Sequence, residues 1–156
     1  MSRPMLFLKM AVLLALTLAV ATCSREAPEV SRIEEVAFEQ SGSGGARYGY
    51  KVVFRKDGTA SYSGDVSAAR AGEHRGEITA EQFERLVKLI KETEFFSQEE
   101  PDQKCADAEV RTTTVVYAGG SKTITNTCRA VHTELERLEQ ESILLVKHIT
   151  WRKAGG

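Results

Sequence analysis

The chain has 156 residues, 42% of them hydrophobic and 28% charged, with 21 Lys+Arg against 22 Asp+Glu and a formal net charge of −1. A chain of this length suits one domain around a single core. Charges of both signs are interspersed along it, which argues against a basic field and hence against a nucleic-acid partner.

Arg3 and Lys9 precede an apolar run from Met10 to Val20 that ends in Ala19-Val20-Ala21-Thr22-Cys23. The run is about a dozen residues long, where a spanning helix needs roughly 20, so residues 1–22 read as a cleavable export signal. Two cleavage chemistries compete there. Val20-Ala21-Thr22-Cys23 resembles a bacterial lipobox, in which the cysteine is acylated, becomes the mature N-terminus and tethers the protein to a membrane. Thr22 departs from the usual Gly, Ala or Ser, and Ala19-x-Ala21 suits ordinary signal peptidase, which leaves a soluble chain starting at Thr22. Cysteine arithmetic favours lipid on Cys23, because Cys105 and Cys128 then remain as an even pair for a disulfide in an oxidising compartment. Ser24 is not the aspartate that retains lipoproteins at the inner membrane. The expectation is therefore an outer-membrane lipoprotein facing the periplasm, with a soluble periplasmic or secreted protein as the alternative. Without residues 1–22 the 21 basic residues lose Arg3 and Lys9 and face 22 acidic ones, a net charge of about −3.

Residues 23–29, with Pro28, read as a tether, residues 30–152 as a single α+β domain and residues 153–156 as a disordered tail. Ile33, Val36 and Phe38 suggest a first strand, and Ser41-Gly42-Ser43-Gly44-Gly45 then breaks the chain. No Gly-Lys-Ser/Thr follows these glycines and a strand comes next, so the loop is a connector and not a nucleotide site. Tyr48, Tyr50, Val52 and Phe54 alternate with polar neighbours, which puts the aromatics on one sheet face. Lys56-Asp57-Gly58 turns the strand back into Thr59–Ser63. A three-residue loop with Gly58 at positive φ pairs Phe54 with Ala60 and Val52 with Tyr62, whereas a two-residue turn would put Tyr62 on the wrong face. Residues 66–69 add a weaker strand before Gly72.

Thr79 as N-cap, Gln82 as its capping-box partner and Ile78 stapled against Phe83 open a helix. Its buried stripe is Phe83, Leu86, Val87 and Ile90, with Phe95 and Phe96 closing the contact as core residues. Residues 97–108 form a polar loop whose carboxylates, Glu99, Glu100, Asp102 and Asp107, do not have calcium-loop spacing. Residues 110–118 and 121–128 read as a hairpin about Gly119-Gly120. That register sets Val115 opposite Ile124 and Tyr117 opposite Lys122, with Thr112 facing Thr127 and Thr114 facing Thr125. It also sets Cys128 opposite Arg111, about 20 Å of extended chain from Cys105, so a disulfide requires residues 104–110 to curl over the hairpin's open end. A long amphipathic helix runs from about Ala130 to Trp151 on Val131, Leu135, Leu138, Leu145 and Ile149. His132 and Glu136 lie one turn apart on it, without a third ligand.

The set Tyr50-x-Val52-x-Phe54-x-x-Asp57-Gly58-Thr59-x-x-Tyr62-x-Gly64, the helix ending at Phe95-Phe96, and Asp107 before a Thr/Val strand resemble a domain-of-unknown-function family. Its members are mostly exported bacterial proteins and lipoproteins, and the resemblance runs from about Ile33 to Leu145. Such members commonly carry a cysteine pair and a proline before the tyrosine strand. This chain has Ser43-Gly44-Gly45-Ala46-Arg47-Tyr48 there, so no role of that pair carries over. The resemblance implies compartment and fold, not an activity.

The fold expected from these elements is α+β, a twisted antiparallel sheet of five or six strands with both helices on one face. G-x-S-x-G, H-E-x-x-H and Cys-His signatures are missing, and His74, His132 and His148 are scattered, so the sequence assigns no catalytic, cofactor or metal residue. The first reading is an exported cell-envelope binding or structural protein, membrane-anchored through lipid at Cys23 and acting on another envelope protein. The alternatives are an envelope hydrolase with a non-obvious site and an assembly subunit docking by its C-terminal helix.

Overall fold

The computed structural model describes residues 32–41, 49–66, 68–100, 105, 109–127 and 133–155. The signal, Cys23, the tether, the glycine-rich break, Tyr48, Asp102, Asp107, Cys128, Val131 and His132 lie outside these residues. Among the described residues, seven strands form one antiparallel sheet: β1 (Ile33–Ser41), β2 (Tyr50–Arg55), β3 (Thr59–Gly64), β4 (Gly72–Glu77), β5 (Val110–Tyr117), β6 (Gly120–Asn126) and β7 (Arg152–Lys153). Their order is β6-β5-β1-β2-β3-β4-β7. Two helices, α1 (Ala80–Glu92) and α2 (Thr133–His148), share one core with the sheet, so the α+β expectation holds with one or two strands more.

Three rows of side chains cross the sheet under the helices. The central row is His74, Tyr62, Val52, Phe38, Thr113 and Ile124, each directly opposite the next. Beside it run Gly76, Ala60, Phe54, Val36, Val115 and Lys122 on one side, and Gly64, Tyr50, Gln40, Arg111 and Asn126 on the other. The first two rows supply most of the apolar floor, with Val36, Phe38, Val52, Phe54 and Val115 fully buried. Phe83, Leu86 and Ile90 of α1 and Leu135 and Leu138 of α2 cover it. Val87, expected in the buried stripe, is only partly covered.

Local instructions were followed closely where they were complete. Thr79 Oγ1 accepts from Gln82 N and Gln82 Oε1 from Thr79 N, the reciprocal box that starts α1. Its C-terminus ends in a Schellman turn, with Phe95 N bonded to Ile90 O and Glu94 N to Lys91 O, and Glu94 at φ 49°. That turn drives Phe95 into the core and leaves Phe96 edge-on to Tyr117, ring centres 5.1 Å apart. Phe54 pairs with Ala60 and Val52 with Tyr62, the register set by a three-residue loop with Gly58 at φ 87°.

Four expectations are corrected. Val66, Ala68 and Ala69 are not in a strand: Val66 is 90% exposed in a turn, and the strand beside β3 is the polar β4, whose sequence carries little strand patterning. The 110–126 hairpin turns at Ala118-Gly119, with Gly119 at φ 103°, so Thr113 and not Val115 faces Ile124, and Val115 faces Lys122. Tyr117 now lies opposite Gly120, where the absent side chain leaves room for its ring. A shift of two residues keeps every side chain on its face, so alternation alone could not discriminate between the registers. The threonine face survives with new partners, Thr112 opposite Thr125 and Thr114 opposite Thr123, and Arg111 faces Asn126. In the last helix, α2 stops at His148, before Trp151. Finally, the tail expected to be disordered from residue 153 returns as β7, pairing His74 with Lys153 and Arg75 with Arg152.

Thr113 is fully buried between Phe38 and Ile124, and its hydroxyl has no hydrogen-bond partner among the described residues. A desolvated hydroxyl left unmatched is a net cost. Thr113→Val should raise unfolding stability by about 1 kcal/mol, read from the denaturation midpoint; a loss of stability would show that the hydroxyl is satisfied.

Candidate binding groove

Tyr50 and Tyr62 lie on neighbouring strands at diagonal positions, and their rings stack with centres 5.3 Å apart and planes at 16°. Trp151 continues the aromatic surface, 5.4 Å from Tyr62, held by a hydrogen bond from its indole N–H to Val146 O (2.9 Å). The connection after β3 folds back over this surface. Asp65 N bonds to Gly49 O and Ala68 N to Asp65 O, and a Cβ at Gly64 would collide with Arg70 O, so only glycine lets the chain pass there. The Arg70 guanidinium ends 5.4 Å above the Tyr62 ring and 5.9 Å from that of Trp151, a cation–π seat. Ile143, Val146 and Lys147 of α2 form the opposite wall of a groove of about 420 Å³.

The groove is an aromatic and aliphatic trough with cations at its rim. Burial raises the Tyr50 hydroxyl to about 12, helped by the neighbouring Tyr62 and Glu109 and opposed by Arg111. Burial likewise pushes Tyr62 up, against the pull of Arg70. Both phenols therefore stay neutral in any physiological medium, and Tyr50 donates to Gln40 Oε1 at 3.4 Å. Such a surface binds by stacking, apolar contact and charge complementarity.

Behind Tyr50 the third row ends in a buried ionic network. Arg111, 2% exposed, donates from Nε to Glu109 Oε1 (2.8 Å) and from Nη1 to Glu139 Oε2 (3.2 Å). Asn126 Nδ2 reaches both Glu139 oxygens, at 3.1 and 3.4 Å. Glu109 and Glu139 hold the Arg111 guanidinium charged against its burial. Burial pushes the Glu139 carboxyl above its usual range despite the hydrogen bonds from Asn126 and Arg111. The network joins the open end of the β5–β6 hairpin to the middle of α2.

Of the cysteines expected to matter, Cys105 is exposed, and Cys23 and Cys128 fall outside the described residues. His74 packs edge-on against Tyr62 at 5.9 Å, and His148 Nδ1 lies 2.8 Å from Leu144 O. Among the described residues no group of three or more His, Cys, Asp and Glu is placed to hold a metal ion. Sequence reading missed Arg70, Arg111, Glu139 and Lys147. For two of them a signal existed. Arg111 shares the inward phase of Thr113 and Val115, and Glu139 lies four residues from Leu135, so each is a charge in step with a core stripe.

A carboxyl whose folded value is raised holds its proton more tightly when folded, so its contribution to stability is present below about pH 4.5 and is lost as pH rises through the folded value. Glu139→Gln, which keeps an acceptor and drops the charge, should flatten this part of the stability–pH profile. Glu139→Leu, which strands Arg111, should lose about 3 kcal/mol at neutral pH. Denaturant titrations of both variants across pH check this; parallel profiles for wild type and Glu139→Gln would refute it.

No curated protein matches this chain. A family model described as a domain of unknown function, DUF6438, matches residues 34–145. That span contains the Tyr50–Tyr62 stack, Arg70 and the buried network, and it ends before Lys147, Trp151 and β7. Since it takes in β2 to β6, α1 and nearly all of β1 and α2, the chain belongs to the DUF6438 family.

Proposed function

We propose that the protein is an exported cell-envelope binding domain, tethered as an outer-membrane lipoprotein by lipid on Cys23, that holds a segment of another envelope protein in the Tyr50–Tyr62 groove. The observation that carries the reading is the groove itself, an aromatic floor with Arg70 and Lys147 at its rim and a wall of Ile143 and Val146. Its chemistry is complementary to an acidic segment bearing an aromatic or aliphatic side chain. Cation–π contact also fixes Arg70 before binding, which lowers the ordering cost of the complex. The helix-docking alternative has less support, because the apolar second half of α2 is largely spent on the core and Leu144, 45% exposed, is the large apolar side chain it presents to solvent.

A photocrosslinking residue at Ala69, beside Arg70, should give a discrete adduct in living cells that disappears in Arg70→Glu. The same probe at Lys51, on the other sheet face, should give none. Equal adducts from both positions would reject the groove as the binding surface.

The proposed tether and the Cys105–Cys128 disulfide are read in one further measurement. Support for the pairing comes from position: Cys105 precedes β5, Cys128 follows β6, and these strands form one hairpin with Arg111 opposite Asn126. The intact mass of membrane-extracted protein should correspond to a chain starting at an acylated Cys23 and lacking two hydrogens, which return on reduction. A chain starting at Thr22, or free thiols at Cys105 and Cys128, would remove the respective claim.

A further inference from the structure

Pairing of β7 with β4 puts Arg152 directly opposite Arg75, and His74 directly opposite Lys153. Like charges facing each other across a ladder destabilise it. A two-residue strand gains little from its own hydrogen bonds, so its place is set by Trp151, which docks on Tyr62 over the side-chain-free Gly76, and by Ala154 N bonding to Glu73 O. Directly opposite each other, Arg75 and Arg152 share one sheet face, and both residues line a cleft of about 330 Å³ with Gln82, His148 and Thr150. Glu77, the single carboxylate of that lining, makes no ion pair with either arginine among the described residues, and neither arginine reaches another carboxylate.

We propose that the cleft between β4, β7 and the end of α2 is a binding site for a phosphate monoester, clamped between Arg75 and Arg152. Two arginine forks match the three terminal oxygens and double charge of a phosphate monoester better than the two oxygens and single charge of a carboxylate. Gln82 and Thr150 supply further donors at the rim, and the cleft exceeds the size of a bare phosphate, leaving room for the group it is esterified to. The bound dianion offsets the repulsion between the arginines. An otherwise unfavourable cross-strand pair thereby becomes a ligand site. This inference does not depend on the aromatic groove.

The test is thermal unfolding of the whole mature protein in inorganic phosphate, against chloride at equal ionic strength, with flotation on phosphatidylcholine vesicles with and without phosphatidic acid. Phosphate should raise the wild-type Tm by several degrees in a saturable way, and chloride should not. Arg152→Gln should have a higher Tm than wild type without phosphate, because the repulsion is gone, and should lose the phosphate response. Arg75→Gln should lose the response too, while Arg55→Gln, a residue paired with Glu35 outside the cleft, should keep it. Flotation that needs phosphatidic acid and both arginines, without a response to free phosphate, identifies the phosphate as a lipid headgroup. A response retained in both cleft variants, a lower Tm for Arg152→Gln without phosphate, or no response in either arm overturns the site.

Discussion

The seating of Trp151 on Tyr62 is the contact on which the C-terminal half of the molecule turns. It accounts for the end of α2, because the indole N–H occupies the Val146 carbonyl just as the chain leaves the helix. It accounts for β7, because the ring draws residues 152–153 alongside β4. It also supplies part of the platform under Arg70. The contact needs a sheet position with no side chain, and Gly76 is that position: a Cβ there would meet both Ile149 and Trp151. Groove and cleft thus share one aromatic docking event, the groove through the platform under Arg70 and the cleft through the placement of Arg152 beside β4.

The buried network works on the other end of α2. Arg111, Asn126 and Glu139 are each under 4% exposed and come from three consecutive elements, β5, β6 and α2. Burying an ion pair is weak evidence of net stabilisation, since desolvation opposes the attraction. Its effect is better understood as selection among arrangements. A helix that slid by one turn would leave the Arg111 charge without Glu139 in a site closed to water, so the network sets the register of α2 against the β5–β6 hairpin. Tyr50 stands between this network and the groove, held by stacking on Tyr62 and by its hydrogen bond to Gln40, the residue directly opposite Arg111.

Much of the fold was legible locally. The capping box of α1, the Phe54–Ala60 register and the inward alternation of β5 are written within a few residues of where they act. The misreadings share a cause. β4 and β7 are polar and short, and they exist because neighbours with more apolar surface hold them, which no periodicity in their own residues announces. The β5–β6 register escaped because the competing pairings differ by two residues and bury the same side chains; in the observed pairing Gly120 lies opposite Tyr117, where a Cβ would press on the ring.

The candidate sites were legible only in fragments. Tyr50 and Tyr62 announced themselves as inward aromatics, yet whether they formed core or groove depended on Arg70, Lys147 and Trp151, between 8 and 101 residues away. The sequence by itself determined the class of fold, the helix start at Thr79 and which faces were apolar, because these follow from side-chain period and short-range hydrogen bonding. Only the tertiary structure decided the path of the tail, the meeting of Arg75 with Arg152 and the pairing of Arg111 with Glu139. Those depend on long-range packing around Trp151 and α2, where burial overrides the preferences of the residues being placed.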